Sequence, residues 1–319
     1  MWHETPGGRC GMSAPDRASL HPQARAALAE MAALSDRFIP GREDFDLAAT
    51  RARARVRAGR GEPVRGVAEV DAGGIPGRLF RPQPSVPVML YLHGGGWALG
   101  SVEEAEPLCR AIANDSGWAV LAVGYRLAPE HPYPAAVEDV ERAAAWLKRH
   151  GRALGVDASR LALAGDSAGA NLAAAVVLRA RDCGARTFNL QALLCPALDL
   201  LDERAVRSEL AEGFGLDRET IRWHVERYAP AVSDRELPHA SPLRAASLAG
   251  LPPALVVTAE YDPLRDQGED YASRLAEAGV PVVCTRYLGM IHGFIDLERF
   301  DAARTVVAQL TSALRHLAV

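Results

Sequence analysis

The chain is 319 residues long, room for one large domain or two of ordinary size, and with 49% hydrophobic and 24% charged residues it can bury a sizeable core. Its 36 basic and 40 acidic residues leave a formal charge of −4 with no basic or acidic tail, which argues against a general nucleic-acid binder and against a disordered chain. Lys148 is the single lysine, so there is no Gly-Lys-Ser/Thr phosphate loop and a nucleotide triphosphatase of that type is excluded.

Met1-Trp-His-Glu4 has no basic region leading into an apolar stretch, and no uncharged apolar run approaches the roughly 18 residues of a membrane span, so a cytoplasmic protein without a membrane partner is expected. Met12 is an alternative initiator that would make residues 1–11 an unstructured extension. From about residue 16 to 58, Leu28, Met31, Ala32 and Leu34 recur at helical spacing and suggest two short helices. Arg51, Arg53, Arg55 and Arg57 read as a solvated helix face rather than a site for an acidic partner. The five cysteines, at 10, 109, 183, 195 and 284, lack the close pairs of a zinc or redox motif and read as reduced thiols.

Val64–Val70 and Arg78–Arg81 flank the turn-rich Asp71-Ala-Gly-Gly-Ile-Pro-Gly, which predicts a hairpin. Beyond Pro87 the pattern alternates. Strands are expected at Val88–Leu92, Ala119–Val123, Leu161–Ala164, Leu190–Leu194, Ala254–Ala259 and Val282–Tyr287, with helices at Glu103–Asn114, Ala135–His150, Ala168–Ala180, Pro263–Ala278 and Ala302–Leu317. Such alternation implies an α/β fold with a largely parallel sheet covered on both faces. Residues from Ala197 to about Leu248 break it with charge, Gly213, Gly215 and an amphipathic stretch from Arg218 to Tyr228, as an inserted lid would.

The most informative segment is Leu161-Ala-Leu-Ala-Gly165-Asp166-Ser167-Ala168-Gly169, an apolar strand running through Gly-x-Ser-x-Gly into a helix. A serine packed into so sharp a turn needs glycines where side chains would collide, and the helix amino end beside it favours a developing oxyanion. His93-Gly94-Gly95-Gly96-Trp97, directly after a predicted strand, leaves backbone N–H groups free to approach a carbonyl oxygen. His93 itself reads as a structural hydrogen-bonding residue.

A serine nucleophile needs a base, and the base needs an orienting carboxylate. His292, after the last predicted strand, and Asp262, at the end of the strand before it, would emerge on the same sheet edge as Ser167, in the order Ser, Asp, His. Asp266 would fall inside the next helix, Glu260 lies in the preceding turn, and Asp166 suits a structural or salt-bridge role. His131 and His224 read as surface or pocket residues, and His316 lies on the terminal helix.

Together these residues resemble the hormone-sensitive-lipase-like family of α/β-hydrolases, bacterial carboxylesterases related to arylacetamide deacetylase. Tyr125-Arg-Leu-Ala-Pro-Glu130, Tyr133-Pro-Ala-Ala, Ser241-Pro-Leu243, Leu251-Pro-Pro253, Asp262-Pro-Leu-Arg-Asp266 and His292-Gly-Phe294 extend the match from about residue 64 to the carboxyl end. The resemblance implies an N-terminal extension and cap helices over residues 1–63, a catalytic domain over 64–319 with a cap insertion at about 197–248, and often a homodimer. It implies Ser167 as nucleophile, His292 as base, Asp262 as its partner, an oxyanion hole from the N–H groups of Gly95, Gly96 and Ala168, and no cofactor or metal. Ala170 and Cys195 depart from the family pattern, where a second glycine and an aromatic are frequent.

The expected activity is hydrolysis of short- to medium-chain carboxylic esters. Acyl transfer, amide deacylation or lactone chemistry in the same pocket, and a non-catalytic ligand-binding relative, are the alternatives. Trp97, Phe214 and Trp223 are candidate substrate-binding residues. For the lid aromatics Phe214, Trp223 and Tyr228, core packing is an equal alternative.

Overall fold

The computed structural model describes residues 17–34 and 45–316, so the expected extension before Met12 and Cys10 lie outside the described residues. In chain order the elements are α1 (Pro22–Leu34), α2 (Leu47–Arg57), β1 (Gly66–Asp71), β2 (Pro76–Arg81), β3 (Val86–Leu92), α3 (Val102–Ser116), β4 (Ala119–Val123), α4 (Ala135–His150), β5 (Val156–Asp166), α5 (Ala168–Asp182) and β6 (Leu190–Leu194). There follow α6 (Glu203–Arg207), α7 (Arg218–Tyr228), α8 (Val232–Glu236), β7 (Ala254–Tyr261), α9 (Arg265–Glu277), β8 (Val282–Ile291) and α10 (Asp301–His316). The expected hairpin is β1 and β2, joined through Asp71–Pro76 pairing.

The eight strands form one sheet in the order β1-β2-β4-β3-β5-β6-β7-β8, antiparallel at β1–β2–β4 and parallel from β4 to β8. All seven residues of β3 and all five of β4 are buried, as strands covered on both faces require. Alternation along β3 divides two cores. Val88, Leu90 and Leu92 join the side built with α4, α5 and α9, whereas Met89 and Tyr91 join the side built with α3 and α10.

Register places the chemistry. Leu92 of β3 pairs with Gly165 of β5, so the glycine loop and the serine turn leave the sheet side by side. Tyr261 of β7 pairs with Ile291 of β8, so the next residues, Asp262 and His292, also leave together. β2, β3 and β7 outrun the sequence expectation by two residues each, and β5 and β8 by more. β5 begins at Val156, because Val156 and Asp157 pair with the start of β3 across a register shift, and β8 continues to Ile291 past a second shift near Tyr261.

Candidate active site

The turn between β5 and α5 holds Ser167 at φ 52° and ψ −115°, and close packing of backbone forces it there. A Cβ on Gly169 would come within 2.0 Å of the Leu92 carbonyl oxygen, and one on Gly165 within 2.5 Å of Gly169, contacts that backbone cannot relieve by rotation. The Ser167 N–H donates to the carbonyl of Leu194, at the end of the neighbouring strand β6, at 2.8 Å.

His292 joins the two halves of the site. Its Nε2 lies 3.0 Å from Ser167 Oγ and its Nδ1 2.7 Å from Asp262 Oδ2. Asp262 is fully buried, and its Oδ1 accepts the Leu264 N–H at 2.8 Å. Burial alone would lower the His292 pKa. The Asp262 charge and hydrogen bond, helped by the charge of Asp166, outweigh that and leave it raised. With Nδ1–H donating to the carboxylate, Nε2 is bare and can accept the serine proton.

The glycine loop is fixed to the serine turn by Asp166, whose Oδ1 accepts from the Gly94 N–H at 3.0 Å and from Tyr91 Oη at 2.7 Å. Asp166 therefore acts as a hydrogen-bonded tie rather than an ion-pair partner, and desolvation raises its pKa. Gly95 and Gly96 take φ of 110° and 58°, which glycine adopts without strain. His93 is buried, stacks on Tyr125 at 4.3 Å and has Nδ1 2.8 Å from the Gly94 carbonyl, a structural placement.

Of the other candidates, Glu260 accepts the Gly289 N–H at 2.7 Å and Asp266 pairs with Arg265 on α9. His131 is exposed, and exposed His316 faces the Ser312 carbonyl on α10. A Cys195 sulfur, an Asp262 oxygen and a His292 nitrogen all lie within 4.8 Å of one another, a donor set of metal-binding size in which the acid and base are already bonded to each other. Among the described residues Cys109, Cys183, Cys195 and Cys284 form no disulfide.

Ser167, His292, Gly95, Gly96 and Trp97 line a cavity of about 590 Å³. Leu200, Val206, Leu216, Ile221 and Val225 from the insertion supply an apolar wall, and Met31 of α1 reaches it too. Phe214 and Trp223, expected at the substrate, stand outside this lining. Phe214 is buried against Tyr261 at 5.2 Å, and Trp223 is held between the Arg227 guanidinium at 4.1 Å and Phe45 at 5.3 Å, so both pack elements together instead. Tyr228 likewise is buried, behind Trp97. His224, which from sequence reads only as a surface or pocket residue, is a buried part of the lining. Its place on the amphipathic stretch Arg218–Tyr228 leaves both surface and pocket open, and its ring packs against Gly96.

Residues 89–296 match the family described as alpha/beta hydrolase fold. The chain belongs to the alpha/beta hydrolase family. It is 42% identical over 254 residues to the carboxylic ester hydrolase LipN of Mycobacterium tuberculosis, covering 76% of this chain and 67% of that protein. It is 39% identical to an ethyl acetate hydrolase of Pseudomonas putida, covering 77% and 80%. Among solved structures, the hyperthermophilic esterase of the archaeon Pyrobaculum calidifontis superposes with a TM-score of 0.87 at 40% identity, over 94% of this chain and 99% of that one. Among the described residues no helix is long and apolar enough to cross a membrane.

Proposed function

We propose that this member of the alpha/beta hydrolase family is a serine carboxylesterase that hydrolyses short- to medium-chain esters through an acyl-enzyme. The observation that carries the reading is the hydrogen-bonded chain Ser167–His292–Asp262, whose Ser167 and His292 line a cavity with an aliphatic wall. Ser167 Oγ attacks the ester carbonyl as His292 Nε2 takes its proton, and Asp262 holds the imidazolium that forms. The oxyanion is received by the N–H groups of Gly95, Gly96 and Ala168, the last at the amino end of α5. His292 then returns the proton to the leaving alcohol, and water repeats the attack with His292 again as base.

The helices before β1 and the insertion between β6 and β7 act together as a cap. Leu28 and Met31 of α1 lie against Gly215, and Phe45 meets Trp223 edge to face, so the two segments are packed as one cover. A cavity of about 590 Å³ with an aliphatic wall suits acyl groups of modest length, and relatives named ethyl acetate hydrolase and arylesterase fit that range. Ser167→Ala is expected to abolish turnover of p-nitrophenyl butyrate with an unchanged melting transition, and a fluorophosphonate should label Ser167 in the unaltered chain. Retained turnover in the variant, or labelling elsewhere, overturns the reading.

A further inference from the structure

We infer that Cys195, Asp262 and His292 form an inhibitory zinc site, in which the ion takes the acid and the base of the triad away from Ser167. The inference rests on the triad of the esterase reading and adds control of the same site by a metal.

The three donors come from neighbouring strand ends. Cys195 follows β6, Asp262 follows β7 and His292 follows β8, and these strands are adjacent in the sheet. The Cys195 sulfur, an Asp262 oxygen and a His292 nitrogen all lie within 4.8 Å of one another, so one ion can reach all three. Backbone fixes the sulfur. Cys195 holds a φ of 46°, which a residue with a Cβ keeps only where its surroundings impose it, and its N–H donates to the Val257 carbonyl of β7 at 2.7 Å. Cys195 and Asp262 are 3% and 1% exposed, whereas His292 and the adjoining Gly293 line the cavity, so the ion enters past the imidazole.

The donor types select the ion. Thiolate, imidazole and carboxylate together suit zinc, on which two such donors at a tetrahedral angle stand about 3.3–3.6 Å apart. The farthest pair therefore has at most about 1.5 Å to close, which a turn of the partly exposed His292 ring supplies. Magnesium and calcium, which take oxygen donors, find one carboxylate here and do not compete. An aromatic at position 195, frequent in the family, offers no soft donor, so the sensitivity belongs to the cysteine. As the S–Zn bond forms, the thiol proton leaves to solvent. As Nδ1, which faces Asp262 at 2.7 Å, binds the ion, its proton passes to Nε2. Nε2–H, 3.0 Å from Ser167 Oγ, cannot accept the serine proton, and attack on the ester stops.

The test titrates the chelator-treated protein with zinc chloride while p-nitrophenyl butyrate turnover is followed. Turnover should fall, recover with EDTA, and persist in magnesium chloride at the same concentration. In Cys195→Ala and in Cys195→Ser, each read against its own uninhibited rate, the zinc concentration for half-inhibition should rise by about 100-fold, since even an outer partner of a metal ligand is worth about 10–100-fold in affinity. Either variant suffices if the other does not fold. Cobalt(II) reads the site without turnover: a thiolate-to-cobalt charge-transfer band should appear in the unaltered chain and be lost in the variants, which keep the exposed Cys183 and Cys284. Zinc that leaves turnover untouched, or that inhibits the variants as strongly as the unaltered chain, overturns the site, as does an active esterase without the Cys195-dependent band. That band in a chain that hydrolyses no ester would support the site while removing the esterase reading.

Discussion

Ser167 occupies backbone angles that cost a residue with a Cβ roughly 1–3 kcal/mol, and its surroundings hold it there through the Leu194 carbonyl and the Asn171 N–H. The imidazole beside it is held up, against the burial that would lower it, mainly by Asp262 and to a smaller extent by Asp166. Since Asp262 raises the His292 pKa above the ordinary 6.5, and only neutral imidazole can accept the serine proton, kcat/KM should rise with pH along an acid limb whose midpoint lies above 6.5. Asp262→Asn removes the charge that raises the base but leaves the burial that lowers it. The limb should then move to lower pH while kcat drops by about 10⁴-fold, the scale set by loss of the orienting carboxylate in the serine triad. A pH–rate profile of the two proteins checks both effects, and an unmoved limb would mean that another group sets it.

At the level of elements, the parallel sheet was legible because its strands are buried on both faces and read as short apolar runs between helices of ordinary length. The grouping of Ser167, Asp262 and His292 was legible for a related reason: in such a sheet the carboxyl ends of successive strands share one edge, which brings the three side chains into one place. The cap aromatics were not. Phe214 and Trp223 have the composition of pocket walls, but which way a side chain faces on a short irregular segment depends on what packs behind it, here Tyr261 and Phe45. Arg51 meets the same limit, since its neighbours in the sequence make it look solvated. Its guanidinium instead donates to the Ala98 and Ala128 carbonyls at 2.8 and 2.7 Å and pairs with Glu130 at 2.8 Å, which fastens α2 to the segment following the glycine loop. Charge-assisted bonds to carbonyls of this kind are each worth about 1.5–3 kcal/mol when partly buried. Arg51→Ala should therefore make residues 45–60 several-fold more sensitive to limited proteolysis and raise KM more than it lowers kcat, because the cap loosens and the triad does not. Unchanged proteolysis would show that α2 is held by other contacts.

Over the whole molecule, buried histidines contribute to the pH dependence of stability in mildly acidic solution. Burial lowers both His93 and His224 to about 4, against an ordinary 6.5. Below 6.5 the unfolded chain takes up their protons first, so the stability each contributes is complete above that pH and is lost as pH falls toward 4. Between pH 7 and 5 the loss is roughly 2 kcal/mol for each histidine. His292 has the opposite slope, since its raised pKa contributes stability below 6.5 that disappears as pH rises through the folded value. Asp166 and Glu104, raised by burial, also oppose the two lowered histidines. A difference between two proteins cancels these common contributions. Urea unfolding of the unaltered chain and of His224→Leu at pH 7 and pH 5 should show the variant losing about 2 kcal/mol less over that interval, a single proton's worth of linkage. Equal losses would mean that His224 is free to titrate in the folded protein and that the cap opens on acidification before the core unfolds.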